Sequence, residues 1–307
     1  MTHTIVMTGA TRGIGRVAVS QILEGDPSAH LVLLARGAGG EELAAELRRD
    51  GRSVTAIDAD LSSMPSVRRA ADEIVARLDT GELPPLRALV ANAGLQFTNA
   101  VTGSPDGFEA TFATNVLANH LLIRVLQDRF IAPSRIVITV SDTHFGDFAH
   151  NMGMVPGPQW QDPTALACTG AFPKSETVAA GRTAYSTSKL AAIYQVHEFA
   201  RRLPAGVDVV GYNPGFVPGT GLARDAGAVA RFAMARIMPL MTITPAATSR
   251  NAAGRYLADL VVGRTPAPSG AYVDRAKVVP SSDESYDPQR ERRLWEVAEN
   301  LTLAVGA

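Results

Sequence analysis

A single cysteine, Cys168, excludes an intramolecular disulfide and suits a reducing compartment. Excess charge of either sign is missing as well: 29 Lys and Arg stand against 30 Asp and Glu. That balance leaves no bulk field to draw nucleic acid or an anionic membrane surface. Long apolar runs are also lacking. The nearest, 232–243, is broken by Arg236 and Pro239 and is shorter than the roughly 20 residues a membrane-spanning helix needs. The opening Met1-Thr-His-Thr-Ile-Val enters a strand-like segment without the basic stretch and cleavage site of a secretory signal. No internal repeat or linker interrupts the chain. These absences predict a cytoplasmic protein with no nucleic-acid partner and no integral membrane span, long enough at 307 residues for a substantial core.

What is present is an alternation of two periods. Apolar, strand-like segments at 5–8, 30–35, 53–58, 86–91, 135–140, 207–212 and 270–273 are separated by segments with helical apolar spacing. The pattern predicts an α/β fold: one doubly wound domain over 1–307, with a mostly parallel seven-stranded sheet and helices on both faces. Helices are expected at 41–50 and after Ser62-Ser-Met-Pro65, where Ser63 is a candidate N-cap and Pro65 fits the first turn.

The first strand runs into Gly9-Ala-Thr-Arg-Gly13-Ile-Gly15, followed by a helical pattern through Val17, Ala18, Ile22 and Leu23. Strand, glycine-rich turn and helix are the context of a dinucleotide site. Glycines let the backbone approach a pyrophosphate, which sits at the positive end of the helix. The second strand ends at Ala35-Arg36, where an acid would instead accept from both ribose hydroxyls. Arg36, with Arg12 in the turn, offers two guanidinium groups to a 2′-phosphate and so favours NADP(H), with NAD(H) the alternative. Asp60 either meets an adenine amino group or ends a strand.

Three further features carry chemistry. Asn115 lies mid-helix among Phe112, Val116, Leu117 and Leu121, where a buried amide must be bonded; it serves as a structural tie or holds a water. Ser141 follows a strand and points into the crevice where open α/β sheets bind ligands. In Tyr185-Ser-Thr-Ser-Lys189, phenol and amine are four apart and share one face of a helix. A fixed ammonium there is expected to lower the phenol's pKa toward the working range of a proton donor and acceptor.

Together, Thr8-Gly-Ala-Thr-Arg-Gly-Ile-Gly15, Asp60-Leu61, Asn92-Ala-Gly94, Asn115, Ser141, Tyr185-Ser-Thr-Ser-Lys189 and Pro214-Gly215 stand in the order found in the short-chain dehydrogenase/reductase family. The chain resembles that family from Thr4 to at least Pro218. The resemblance implies a Rossmann-like fold, a nicotinamide cofactor and a catalytic tetrad on Asn115, Ser141, Tyr185 and Lys189. Tyr185 would exchange the proton, Lys189 would assist it and bond the nicotinamide ribose, Ser141 would orient the substrate oxygen, and Asn115 would hold a proton-relay water. Cofactor contacts are implied from Gly9, Thr11, Arg12, Gly13, Ile14, Gly15, Arg36, Asp60, Leu61, Asn92, Ala93, Gly94, Tyr185, Lys189, Pro214, Gly215 and the backbone of Val217. In the family a Thr five residues beyond the Pro of Pro-Gly often meets the carboxamide. Here Gly219 holds that place, so Thr220 takes the role with a shifted backbone or the contact is lost.

Ser141 and Tyr185 lie 44 positions apart, more than in many members of the family. The intervening 142–183 insertion, with Phe145, Phe148, Met152, Met154, Trp160 and Phe172, is expected to act as a substrate lid, the bland alternative being a loop over the sheet edge. Within it, His144, Asp147 and His150 lack the fixed spacing of ligands, and no metal is expected. Residues 217–244, rich in Leu, Met, Phe and Ile, resemble the family's substrate flap and point to an apolar or bulky substrate; a core or dimer surface would use the same residues. A C-terminal helix is expected over 285–307. The long insertion, Asn115-Val-Leu-Ala-Asn-His120-Leu-Leu, Pro214-Gly-Phe-Val-Pro-Gly-Thr-Gly-Leu-Ala-Arg224 and Trp295-Glu-Val-Ala-Glu-Asn-Leu resemble the branch of retinol dehydrogenase-like enzymes and light-dependent protochlorophyllide reductases.

The expected activity is NADP(H)-dependent oxidoreduction of a small-molecule carbonyl or alcohol. Reduction of a conjugated C=C bond and non-catalytic NADP(H) sensing are the alternatives. Family members commonly pair through the helices bearing Asn115 and Tyr185; a homo-oligomer stays open, since the insertion could block that surface.

Overall fold

The computed structural model describes residues 1–303 except Met152, Met154 and 219–246. Thr220, most of the expected 217–244 flap and the last residues of the expected C-terminal helix lie outside the described residues.

The strands are β1 (His3–Thr8), β2 (Ala29–Ala35), β3 (Val54–Asp58), β4 (Leu86–Ala91), β5 (Phe130–Thr139), β6 (Val207–Asn213), β7 (Tyr272–Asp274) and β8 (Lys277–Val279). They form one sheet in the order β3-β2-β1-β4-β5-β6-β7-β8. All neighbours are parallel except β7 and β8. Among the described residues the sheet therefore has eight strands where the sequence pattern predicted seven. The extra strand is a hairpin partner of β7, turned through Arg275 at φ 57°. Arg275-Ala276 carries none of the Asn-Gly chemistry that marks such turns in sequence.

Strand residues alternate between two cores, as a period of two requires. Ile5, Met7, Ala88 and Val90 face one core with Val19, Ile22 and Leu257; Val6, Leu89 and Ala91 face the other with Ile74, Val116 and Ile193. The first core packs helices α1 (Gly13–Gly25), α2 (Ala38–Arg49) and α6 (Arg250–Val261). On the opposite face lie α3 (Met64–Asp79), α4, α5 (Val178–Arg202) and α7 (Pro288–Leu303). Helix α4 runs through Ala110–Phe112, a π-helical Ala113–Leu117 and Ala118–Leu126.

Local chemistry sets the helix boundaries. Pro65 sits in the first turn of α3, but the hydroxyl of Ser63 makes no cap bond; the Met64 N–H is taken instead by Asp106 at 2.5 Å. Thr177 caps α5 by accepting from Ala180 N–H, and Leu203-Pro204 ends it. Asp287 precedes Pro288 and accepts from the N–H groups of Gln289 and Arg290 at the start of α7.

Helix α5 is buried on nearly every side from Ala180 to Phe199, between the sheet, α4 and α7. Its polar side chains must then find partners inside. Thr183, Ser186 and Ser188 bond back to carbonyls of their own helix, Gln195 donates to Val116 O, and His197 meets Glu291 of α7 at 2.7 Å. Trp295 of α7 packs edge-on against Phe199 and His120, covering both α5 and α4.

Candidate active site

At the carboxyl end of β1, Gly9 (φ 68°) and Gly13 (φ 59°) adopt the left-handed conformation that glycine takes at little cost. Space is equally restrictive. A Cβ on Gly15 would lie 2.0 Å from the Gly9 carbonyl oxygen, and one on Gly9 would lie 2.8 Å from the Ala93 backbone. The turn thus rests on the end of β4. Thr8 Oγ1 accepts from Ala93 N–H at 3.0 Å, Asn92 Nδ2 donates to Gly9 O at 3.2 Å, and Thr139 Oγ1 donates to Asn92 Oδ1 at 3.2 Å. Arg12 occupies the N-cap of α1 with its side chain exposed; Thr11 is also exposed, while Ile14 packs against the core behind.

Arg36, at the end of β2, is 61% exposed and stands 3.5 Å from Asp60 beyond β3. Asp60 accepts from Ser62 N–H at 3.0 Å and Ser62 Oγ at 2.7 Å, a local turn that occupies one carboxylate oxygen. Burial alone would lift the Asp60 pKa, but the Ser62 donors and the Arg36 charge outweigh it and hold the group low. Leu61 packs against the core beside it.

Tyr185 and Lys189 share one face of α5, 6% and 4% exposed. Lys189 Nζ donates to Thr139 O at 2.9 Å and lies 5.6 Å from the centre of the Tyr185 ring. Burial brings the ammonium down to about 8. For Tyr185, burial dominates and raises the pKa; a hydrogen bond with Ser141 opposes that rise and the Asp142 charge adds to it. The sequence expectation was a lowered phenol. The direction is reversed because desolvation of a phenolate in this buried site costs more than its neighbours return. Tyr185 is a neutral phenol here.

Ser141 stands two residues past the end of β5. Its Oγ accepts from Thr143 N–H and donates to Asp142 Oδ1, both at 3.3 Å. Asp142 is pushed up to about 6, first by burial and then by Asp274, against the Ser141 hydrogen bond and the charges of His150 and Arg275.

Asn115 sits in the π-helical stretch of α4, the kind of local widening often found at functional sites. Its side chain pairs with Leu95 at both backbone groups and donates to Ser188 Oγ, each at 3.0 Å. Its carbonyl accepts from Asn119 at 2.9 Å. Lys189 Nζ and Asn115 Oδ1 both face Gly94, at 3.4 and 3.5 Å from where a Cβ would stand.

Pro214 and Gly215 follow β6. Gly215 has φ 71°, and a Cβ there would meet Arg275 Nε at 2.8 Å and Thr248 Oγ1 at 2.9 Å. Val217 is buried just beyond. The residues singled out from sequence and described by the structure thus gather at the carboxyl ends of β1 to β6, where open α/β sheets bind ligands.

Within the insertion, Leu166, Ala167 and Phe172 enter the hydrophobic core, and Trp160 stacks edge-on against Tyr194 of α5 at 4.7 Å. Phe148 is 77% exposed, and Cys168 is exposed with its thiol donating to Thr164 O. His150 pairs with Asp147, while both ring nitrogens of His144 meet backbone groups. Among the described residues no group of three His, Cys, Asp or Glu side chains could hold a metal ion. Nor is any described helix long and apolar enough to cross a membrane.

Sequence reasoning did not assign Thr8, Thr139, Asp142 or Leu95, all of which touch the site. Only Asp142, an acid directly after the strand-end serine, left a readable signal. The other three act through short hydroxyl or backbone contacts that become visible once the strands are aligned.

The family model for short chain dehydrogenases matches residues 3–152. The chain is 32% identical over 303 residues to DnrU of Streptomyces sp. (strain C5), a protein named for daunorubicin C-13 ketoreduction; the match covers 96% of this chain and 91% of that one. It is 29% identical over 324 residues to protochlorophyllide reductase A, chloroplastic, of Arabidopsis thaliana, covering 97% and 76%. In fold it is similar to the NADPH-bound carbonyl reductase from chicken fatty liver, with a TM-score of 0.60 at 18% identity over 91% of this chain and 98% of that one.

Proposed function

This chain belongs to the short-chain dehydrogenase/reductase family and is an oxidoreductase, and on that footing we propose that it moves a hydride between NADP(H) and a carbonyl or alcohol. The observation that carries the proposal is the convergence of a buried neutral phenol, a buried amine and a strand-end hydroxyl at the carboxyl end of β5. The residues fit a nicotinamide dinucleotide. The glycine turn closes so tightly that a Cβ on Gly15 would collide with the Gly9 carbonyl, and the start of α1 suits a pyrophosphate. Arg12 and exposed Arg36 would hold a 2′-phosphate, with Asn92, Ala93, Gly94, Pro214, Gly215 and Val217 along the nicotinamide end. Bound there, the cofactor supplies or accepts the hydride.

The protein's part is proton transfer and geometry. Tyr185 donates its phenolic proton to the carbonyl oxygen and takes one back from an alcohol in reverse. Its neutral form is the one that can donate a proton. Lys189 lends positive charge beside the phenol as it loses its proton. Ser141 bonds the substrate oxygen and orients it; removing such a donor costs about 10²–10³ in kcat. A water between Asn115 Oδ1 and Lys189 Nζ, which face Gly94 together, would return protons from solvent.

We read 1–307 as one domain in which the 142–183 insertion frames an apolar or bulky substrate and Pro288–Leu303 closes the outer face of α5. Because α7 covers α4 and α5, any homo-oligomer is expected to use another face. A cytoplasmic location accords with the lone, exposed thiol. The likeness to protochlorophyllide reductase supports a second reading, reduction of a conjugated C=C bond with the same Tyr185 as proton source. NADPH oxidation against aldehydes, ketones and enones tests both. Turnover of aldehydes or ketones with an alcohol product is expected; turnover confined to enones with a saturated ketone product would favour the second reading, and none with any carbonyl would overturn the first.

A further inference from the structure

His144 lies in the short 3₁₀ turn Asp142–Phe145 that follows Ser141, and it is 1% exposed. Its Nδ1 stands 2.6 Å from the carbonyl oxygen of Ser141. Its Nε2 stands 3.1 Å from the backbone N–H of Ser282. An amide N–H can only donate, so Nε2 must be the bare nitrogen and the ring proton must sit on Nδ1, donated to Ser141 O. Burial brings the imidazole down to about 4, so the neutral ring persists through the working range. Phe145 packs on the ring at 4.3 Å and Tyr272 meets it edge-on at 5.1 Å, which leaves it little room to turn.

The far end of this bridge is itself braced. Ser285 Oγ donates to Ser282 O and pairs with Ser281 Oγ, both at 2.6 Å. Tyr194 OH, on the helix that bears Tyr185, donates to Glu284 O at 2.9 Å in the same turn. One imidazole therefore joins the peptide of Ser141 to a turn that is anchored on α5. By holding the Ser141 carbonyl, His144 restricts the backbone of the residue whose hydroxyl bonds Tyr185.

We infer that His144 is a positioning residue for the reaction, holding Ser141 in register with Tyr185 through a Ser282–His144–Ser141 hydrogen-bond bridge. The inference rests on Ser141 acting on the substrate. With both ring nitrogens committed to backbone, His144 is neither a proton shuttle nor a metal ligand.

A double-mutant cycle on the full chain tests it, using a carbonyl substrate that the wild type reduces with NADPH. Since a misplacement near 1 Å can cost about 100-fold, His144→Ala should lower kcat by ~10–100-fold and leave NADPH affinity within about twofold. In a Ser141→Ala background the same change should cost less than about threefold, because what His144 positions is already gone. His144→Asn, which keeps a donor near the Nδ1 position, should recover part of kcat. The ring nitrogens of His144, followed by ¹⁵N NMR in the wild type, should show a protonated Nδ1 and a bare Nε2 from pH 5.5 to 8.5. Equal losses in both backgrounds, a parallel loss of NADPH affinity, or the opposite or mixed tautomer would overturn the inference. If His144→Ala does not fold, His144→Asn and the tautomer decide. A Ser141→Ala enzyme with full activity would count against the function proposed for Ser141, while the NMR would still report on the bridge.

Discussion

Replacing Asp142 by Asn should stabilise the protein at neutral pH and leave it unchanged in acid. The carboxyl of Asp142 is lifted from its ordinary 3.8 to about 6, with burial the chief cause and Asp274 adding to it. Well below pH 3.8 the group is protonated in both folded and unfolded chains. Between there and pH 6 the unfolded chain gives up its proton while the folded chain keeps it, so stability falls as pH rises; above about 6 the loss is complete. Linkage sets that loss at no more than ~3 kcal/mol, and partial contact with solvent reduces the expected gain for Asn to ~1–2 kcal/mol. Asn keeps an oxygen that can accept from Ser141 Oγ, so the local hydrogen bond survives. Urea unfolding at a series of pH values reads the effect as a midpoint shift at constant slope. The gain should be full at pH 7.5 and mostly lost near pH 4. A gain of the same size at both, or a loss at pH 7.5, would refute the reasoning that places a buried charge there.

Arg36→Asp should raise KM for NADPH by ~10–100-fold, in line with a charged hydrogen bond of ~1.5–3 kcal/mol, and change NADH little. An unaltered preference between the two cofactors would show that Arg36 meets no 2′-phosphate. The pH dependence of kcat/KM for carbonyl reduction should fall above about 8, where Lys189, lowered by burial, loses its proton. A profile flat to pH 9.5 would detach that ionisation from the reaction.

Much of the scaffold was legible because it depends on neighbours in sequence. The glycine turn, the strand-end positions of Arg36 and Ser141, and the pairing of Tyr185 with Lys189 on one helical face follow from short-range periodicity. What escaped depends on contacts between distant parts. Strand β8 is made by pairing with β7 through a turn with no glycine or asparagine, so its exposed Lys277-Val-Val carried no signal. Tyr185 reads as an activated phenol from its spacing to Lys189, yet burial beside Ser141 and Asp142, distant in sequence, reverses the direction. Asn115 suggested either a tie or a water site. Its side chain is tied to Leu95 and Ser188, the latter 73 residues away. His144 suggested at most a metal ligand, because its partner Ser282 lies 138 positions downstream.

The central claim is that Tyr185 is the proton donor of an NADPH-dependent reduction, and Tyr185→Phe tests it most directly. The change removes one hydroxyl from a buried ring and leaves the glycine turn and both arginines untouched. Single-turnover oxidation of bound NADPH by an excess of carbonyl substrate should slow by ~10²–10⁴-fold, the range general acid catalysis contributes, with NADPH affinity retained. Wild-type rates in Tyr185→Phe with every substrate the enzyme accepts would contradict it.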